Sequence, residues 1–184
     1  GQFKSTVACN TCNKSSVKFD AFMYLTLPIS SSKCDIYECL ELFLKRESMC
    51  GESKWKCPNC KQYRDSTKKI DIWKLPPLLI IHLKRFKYEG VWRDKIVSNV
   101  DYPIENLNLN KYLSGPNMKK LDYTYKLYGI SNHSGTMDGG HYTSMCRNFQ
   151  LGRWFKYDDS EVKEMTSLSA LKSPTNYILF YSLS

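Results

Sequence analysis

Two periods of hydrophobic and polar positions divide the chain. Residues 19–27, Phe-Asp-Ala-Phe-Met-Tyr-Leu-Thr-Leu, are mostly aromatic and apolar and stop at Pro28, as a strand does. Past Ser30-Ser31-Ser32 the period lengthens: Ile36, Cys39, Leu40, Phe43 and Leu44 fall at i, i+3, i+4, i+7 and i+8, the apolar stripe of a helix. Asp35 with Glu38 three residues on is a capping-box signature at its start, and Cys39, on the stripe, reads as core filling. Residues 69–73 alternate charged with apolar, a half-buried strand broken by Pro76-Pro77. Residues 78–86 are apolar on both faces at first and basic near the end, which predicts a strand placed centrally in a sheet. His82 inside it reads as a packed, hydrogen-bonded sheet residue. Residues 88–94, around Gly90 and Trp92, predict a loop, and few periodic runs follow up to Lys120, a length of chain often given to function. Strands return at 123–130, 142–147, 154–158 and 177–181, so the C-terminal half is mostly antiparallel sheet. The class is α+β, one interlocked globule with no repeated unit beyond two cysteine knuckles.

With 184 residues, 42% hydrophobic and 14% aromatic, the chain can build a real core, which excludes disorder as its main state. The longest apolar runs, such as Leu78-Leu79-Ile80-Ile81, stop far short of the ~20 residues that cross a bilayer, so membrane insertion is not expected. Gly1-Gln2-Phe3-Lys4, with no initiator Met or signal pattern, reads as a chain entered in the middle of an element, an excised piece. The net charge of +9 is spread over the whole length. Its densest stretch, residues 54–74, is answered by Asp65 and Asp71, and no basic stripe points to nucleic acid.

Eight cysteines sharpen the picture. Cys9-Asn10-Thr11-Cys12 and Cys57-Pro58-Asn59-Cys60 are matched C-x-x-C knuckles, whereas Cys34, Cys39, Cys50 and Cys146 follow no pattern and read as free thiols of a reducing compartment. Two residues between cysteines let both thiolates reach one ion from a tight turn, and two such turns supply the four sulfurs that tetrahedral Zn2+ prefers. A redox C-x-x-C would come once, at a strand-to-helix turn. The long separation of the knuckles makes the zinc a stitch between distant segments. A closed four-sulfur site has no open coordination position, so the metal is structural and catalysis lies elsewhere.

Ser134-Gly135-Thr136-Met137-Asp138-Gly139-Gly140-His141 is a glycine-rich turn that delivers His141 to the start of a strand. If the next hairpin folds about Phe149-Gln150, opposed residues sum to 299 and His141 faces Asp158 with Cβ atoms ~5 Å apart. Asp159 then points to the other face, unless one β-bulge exchanges the two. An imidazole beside a carboxylate serves a nucleophile, the acid fixing the tautomer and stabilising imidazolium. A surface contact that closes the hairpin reads equally well. No thiol partner is evident, because Cys146 lies five residues along the same strand on the other face, and Cys34, Cys39 and Cys50 sit in the helix or its flanks.

Leu75-Pro76-Pro77-Leu78-Leu79-Ile80-Ile81-His82-Leu83-Lys84-Arg85-Phe86, Gly139-Gly140-His141-Tyr142-Thr143, Trp154-Phe155-Lys156-Tyr157-Asp158-Asp159 and Tyr177-Ile178-Leu179-Phe180-Tyr181, in this order with the double knuckle, resemble the ubiquitin-specific protease family over essentially the whole chain. The opening Gly1-Gln2-Phe3-Lys4-Ser5-Thr6 and Ile72-Trp73-Lys74-Leu75-Pro76-Pro77 are closest to its endosome-associated member numbered eight. The resemblance implies part of a papain-like cysteine protease, with antiparallel zinc-ribbon fingers and one helix over about 1–69, a palm sheet over about 70–184, and no thumb. It implies hydrolysis of the isopeptide bond after the C-terminal glycine of ubiquitin, with ubiquitin and ubiquitinated proteins as partners and a cytoplasmic, endosome-associated setting.

Residue by residue, His141 matches the general base, Asp158 the acid that orients it and Asp159 the polar neighbour that assists. Cys9, Cys12, Cys57 and Cys60 match the zinc ligands. Residues 88–95 and 132–140 match two loops flanking the ubiquitin tail, so Phe86, Tyr88, Gly139, Gly140 and Tyr142 are the substrate-binding set. The nucleophilic cysteine and the asparagine before it are expected in an N-terminal thumb segment that this sequence lacks, leaving the chain inactive alone. Ala8-Cys9-Asn10-Thr11-Cys12-Asn13 copies the nucleophile box superficially, but Cys12 stands where the first knuckle belongs. A non-catalytic ubiquitin-binding module, whether an inactive relative or a short isoform, and more remotely a zinc-ribbon nucleic-acid binder, are the alternatives.

Overall fold

Phe3 and Phe22 explain the first departure from the predicted elements. Their rings stack with centroids 4.2 Å apart, and Phe22 N–H donates to Gly1 O at 3.0 Å. This clasp ends a sheet, so the apolar run of 19–27 is not one strand: Ser15–Ala21 and Tyr24–Pro28 belong to different sheets. The computed structural model describes residues 1–30, 33–89, 92–116, 122–136 and 138–184, the side chains of 88, 89, 92 and 93 excepted.

Two compact units share the chain. The first is Gly1–Phe22, Phe43–Pro76 and Leu109–Asp122. Its sheet runs Ser15–Ala21, Gln2–Cys9, Ser66–Lys74, Glu47–Met49, all antiparallel, with the half-buried strand predicted at 69–73 forming most of Ser66–Lys74.

The second unit is Met23–Leu42, Pro77–Asn108 and Tyr123–Ser184. The helix Ile36–Phe43, which lies in this unit up to Leu42, starts on the expected capping box: Glu38 N–H donates to Asp35 Oδ1 at 2.8 Å and Asp35 N–H to Glu38 Oε2 at 2.9 Å. Ile36, Cys39 and Leu40 are buried, as the stripe requires. Among the described residues an eight-stranded sheet runs Glu161–Glu164, Trp154–Asp158, Gly140–Arg147, Thr124–Gly135, Asn176–Leu183, Leu78–Lys84, Tyr24–Pro28, with Leu107–Asn108 pairing beside Thr124–Gly135. Only Tyr24–Pro28 against Leu78–Lys84 is parallel in it.

Leu78–Lys84 has neighbours on both sides, as predicted, but its burial alternates: Leu79, Ile81 and Leu83 are fully buried and the residues between are not. Leu25, Leu27, Leu127, Leu179 and Tyr181 are buried as completely, each such side chain contributing about 1.5–3 kcal/mol. His82 is a sheet residue, its Nδ1 3.2 Å from Thr26 Oγ1 and its ring edge-on to Tyr177. Burial, helped by Lys84, lowers its pKa. Residues 88–94 are not simply a loop: Phe86–Glu89 pairs with Trp92–Lys95 in a hairpin. Gly90 lies outside the described residues, as does the side chain of Trp92.

The site end of the sheet is held by buried polar groups. Arg85 is fully buried; its Nε donates to Asn176 O at 2.6 Å, and its Nη1 to Ile96 O and Ser98 O, each at 2.9 Å. Asn176 donates through Nδ2 to Asn132 Oδ1 at 2.8 Å and accepts at Oδ1 from Tyr102 O–H at 3.0 Å and Ser173 N–H at 2.6 Å. Arg85 Nη2 is buried without a partner, and the bonds made by Nε, Nη1 and the Asn176 amide tie together the strands they join.

Candidate active site and metal centre

The two knuckles fold alike. Asn13 N–H donates to Cys9 O at 3.0 Å and Lys61 N–H to Cys57 O at 2.9 Å, and Asn13 (φ 57°) and Lys61 (φ 59°) both take the left-handed conformation that closes such a turn. Cys9 N–H also donates to Lys14 O and Cys57 N–H to Gln62 O, each at 3.0 Å. The four sulfurs lie within 4.8 Å of one another, with Cys12 Sγ and Cys57 Sγ 3.6 Å apart. Sulfurs bound tetrahedrally to one zinc at ~2.3 Å stand about 3.8 Å apart. The donor set therefore fits that metal, and Cys12 sits within it as the knuckle reading required.

The hairpin that carries the histidine differs from the sequence arithmetic. Gly140–Arg147 pairs with Trp154–Asp158 through Ser144 with Tyr157, Met145 with Lys156, Cys146 with Phe155 and Arg147 with Trp154, so opposed residues sum to 301 and the register is two residues from the expected one. Asn148 causes the shift. Its Oδ1 accepts from Gln150 N–H at 3.0 Å and Leu151 N–H at 2.9 Å, and Gly152 (φ 67°) donates back to Asn148 O, widening the turn. A slip of two preserves the face of every side chain. His141 and Asp158 consequently meet as diagonal neighbours, His141 Nε2 lying 2.6 Å from Asp158 Oδ1.

Asp159 does not point to the opposite face of a strand. It occupies the turn between Trp154–Asp158 and Glu161–Glu164, where Asp158 pairs with Glu161, and its φ of 50° suits a tight hairpin. That turn leaves its carboxylate in the same cluster as His141 and Asp158. His141 is half-exposed. Its pKa is raised, first by the hydrogen bond to Asp158, then by the charges of Asp158 and Asp159. The Asp158 carboxyl is lowered by the bond from His141 and by Lys156 Nζ, which donates to its other oxygen at 3.0 Å. With Nε2–H given to Asp158, Nδ1 carries the lone pair that can accept a proton. Among the described residues the cluster contains no thiol.

Each glycine before His141 has its own reason. Gly135 (φ 111°) makes the turn, and a Cβ there would lie 2.5 Å from Gly139 O. A Cβ on Gly140 would stand 2.3 Å from His133 Nε2 and 2.5 Å from Ser134 O, whereas one on Gly139 meets nothing within 4 Å. Tyr142 is exposed beside His133, at 4.7 Å between centroids, and Phe86 lies edge-on to His133 at 5.6 Å. The Tyr88 side chain and Met137 lie outside the described residues.

Sequence reasoning placed His133 and Lys95 only within the two matched loops and missed their contact. Lys95 Nζ lies 2.8 Å from His133 O, 2.9 Å from Gly135 O and 3.1 Å from His133 Nδ1. Nothing in the local pattern marks either residue, since the partners are 38 positions apart.

Mostly antiparallel sheet with one α-helix among the described residues, four clustered cysteines and an imidazole–carboxylate pair beside a glycine-rich turn define a papain-like hydrolase framework. Solved structures share it: the yeast SAGA DUB module carrying a mutant Sgf73 superposes over 100% of this chain and 40% of its own, with a TM-score of 0.84 and 33% identity. The SAGA Ubp8/Sgf11/Sus1/Sgf73 module bound to ubiquitin aldehyde matches with a TM-score of 0.82 and 33% identity, over 100% of this chain and 41% of its own. The chain belongs to the ubiquitin carboxyl-terminal hydrolase family, whose profile matches residues 1–181. Ubiquitin carboxyl-terminal hydrolase 15 of Rattus norvegicus is 44% identical over 144 residues, 78% of this chain and 15% of that protein. Ubiquitin carboxyl-terminal hydrolase 8 of Arabidopsis thaliana is 43% identical over 146 residues, 79% of this chain and 16% of that protein. The chain thus spans about a sixth of the curated relatives it matches and two fifths of the solved ones.

Proposed function

We propose that this chain supplies the general base and the zinc-ribbon part of a cysteine-type deubiquitinase that hydrolyses the isopeptide bond after the C-terminal glycine of ubiquitin. The observation that carries the reading is the 2.6 Å contact of His141 Nε2 with Asp158 Oδ1 at the end of the Gly135–Gly140 turn. His141 Nδ1 takes the proton of a cysteine thiol held by a segment outside this chain. The thiolate attacks the glycine carbonyl, and the imidazolium, steadied by Asp158 with Asp159 nearby, returns the proton to the leaving lysine amine. Water then releases the acyl group with His141 again as base. Gly139, open on its Cβ side, together with Gly140, Tyr142, Phe86 and Tyr88, lines the path of the ubiquitin tail.

Zn2+ held by Cys9, Cys12, Cys57 and Cys60 ties the two knuckles together and takes no part in the reaction. Residues of about 1–69 correspond mainly to the fingers and those of about 70–184 mainly to the palm. Ubiquitin and ubiquitinated proteins are the partners. Kinship with the endosome-associated member numbered eight rests on residues 1–6 and 72–77 alone, and with it a cytoplasmic, endosome-associated site of action.

Ubiquitin-amide hydrolysis tests the reading, with the zinc-loaded chain alone, with a nucleophile-bearing thumb segment from a family member, and with His141→Ala. Activity only in the mixture, lost in His141→Ala, is expected. Hydrolysis by the chain alone would refute the placement of the nucleophile. Ubiquitin binding with no activity in any mixture would favour the non-catalytic module.

A further inference from the structure

The contacts of Lys95 exceed those of an ordinary surface lysine. An ammonium has three protons and no lone pair, and here it meets three acceptors: His133 O, Gly135 O and His133 Nδ1. Its fourth neighbour is the Phe86 ring, 5.8 Å from Nζ to centroid. The two carbonyls flank Ser134, the residue that pairs with His141. Because Lys95 can only donate, Nδ1 of His133 accepts and the ring proton resides on Nε2, against Gly140. The backbone behind Lys95 is equally fixed: Ile96 N–H donates to Arg85 O at 2.7 Å, and the buried Arg85 guanidinium holds Ile96 O and Ser98 O.

We propose that Lys95 is a positioning residue: its ammonium latches the Trp92–Lys95 strand to the end of Thr124–Gly135, keeps Ser134 and hence His141 in register, and fixes His133 as its Nε2–H tautomer beside Gly140. The latch joins the two segments that flank the tail path, and its functional meaning rests on the proposed reading of His141 as the base. Burial, with the neighbouring Lys95 charge, lowers the His133 pKa and keeps the ring neutral, as the latch requires.

Imidazole and ammonium nitrogen NMR of the zinc-loaded chain, unmodified and as Lys95→Met, tests this. In the unmodified chain His133 shows a protonated Nε2 and a bare Nδ1, and the Lys95 ammonium protons exchange at least about tenfold more slowly than those of exposed Lys163. In Lys95→Met, His133 populates both tautomers, the Thr136 amide, bonded to Gly139 O, exchanges at least about tenfold faster, and ubiquitin affinity falls at least about fivefold. Lys95 exchange as fast as that of Lys163 overturns the latch without any variant, as does a folded Lys95→Met with unchanged tautomer and exchange. An unmodified chain that fails to bind ubiquitin while showing these spectra sinks the reading of the site and leaves the latch standing.

Discussion

Gly140→Ala isolates the close packing beneath the general base. The added methyl carbon would sit 2.3 Å from His133 Nε2 and 2.5 Å from Ser134 O, about 1 Å inside ordinary contact. Neither neighbour yields easily: one is backbone, and the other is an imidazole tied to Lys95. Gly140 does not occupy the left-handed region, so the cost is steric, and relief requires the Thr124–Gly135 and Gly140–Arg147 strands to part where His141 begins its run. Overpacking of this size costs about 1–3 kcal/mol, which for a chain of this length lowers Tm by roughly 2–12 °C. A shift of about 1 Å in a catalytic group costs on the order of 100-fold in rate, read in the ubiquitin-amide assay with the thumb segment supplied. Gly139→Ala is the matched control, because its methyl meets nothing, and it keeps the melting temperature while weakening ubiquitin binding. Calorimetric melting and an NMR titration of His141 decide the matter. A Gly140→Ala chain that melts like the unmodified one and holds His141 at its raised pKa would refute the packing argument.

Asp158→Asn weakens the hydrogen bond and removes the charge that together raise the His141 pKa, so NMR titration should show that pKa falling, and the acidic limb of the pH–rate profile should move to lower pH while the plateau rate drops. In stability, the contribution of the pair is present between the ordinary carboxylate and histidine ranges. It is lost as pH falls through the lowered Asp158 pKa or rises through the raised His141 pKa, and urea unfolding across pH should show the variant lacking it. Cys57→Ser, at a fully buried ligand, should abolish stoichiometric zinc binding and the cooperative melting of the first unit, metal binding of this kind being worth on the order of 10 kcal/mol. Retained zinc would count against the four-sulfur site. Asn176→Ala strips Ser173 N–H and Asn132 Oδ1 of partners and should cost about 2–4 kcal/mol in urea unfolding, and a much smaller loss would deny the buried network its role.

What could be read in the sequence was what short-range chemistry decides. Asp35 and Glu38 are three residues apart and cap the helix as expected, and each knuckle is a five-residue turn whose geometry its own backbone bonds enforce. The His141–Asp158 meeting survived a register error because the Asn148 side chain lengthened the turn by an even slip. Long-range closure was not legible. Nothing local marks Phe22 as the end of one sheet, since the clasp depends on Gly1 and Phe3. His133 and Asn132 look like polar loop residues until Lys95 and Asn176 are brought to them from afar.

The order of strands in the larger sheet bears on how the protein is made. Asn176–Leu183, last of the described strands in sequence, is inserted between Thr124–Gly135 and Leu78–Lys84 rather than added at a margin. During synthesis the ribosome therefore releases every other strand of that sheet before the one that joins its two halves. Until it arrives, the nascent chain exposes two unsatisfied strand edges flanked by apolar side chains, a template for wrong pairing. The pairing of the sheet's two halves through this strand is therefore completed only after the histidine hairpin has been made, and a chain cut short of it would keep both edges open.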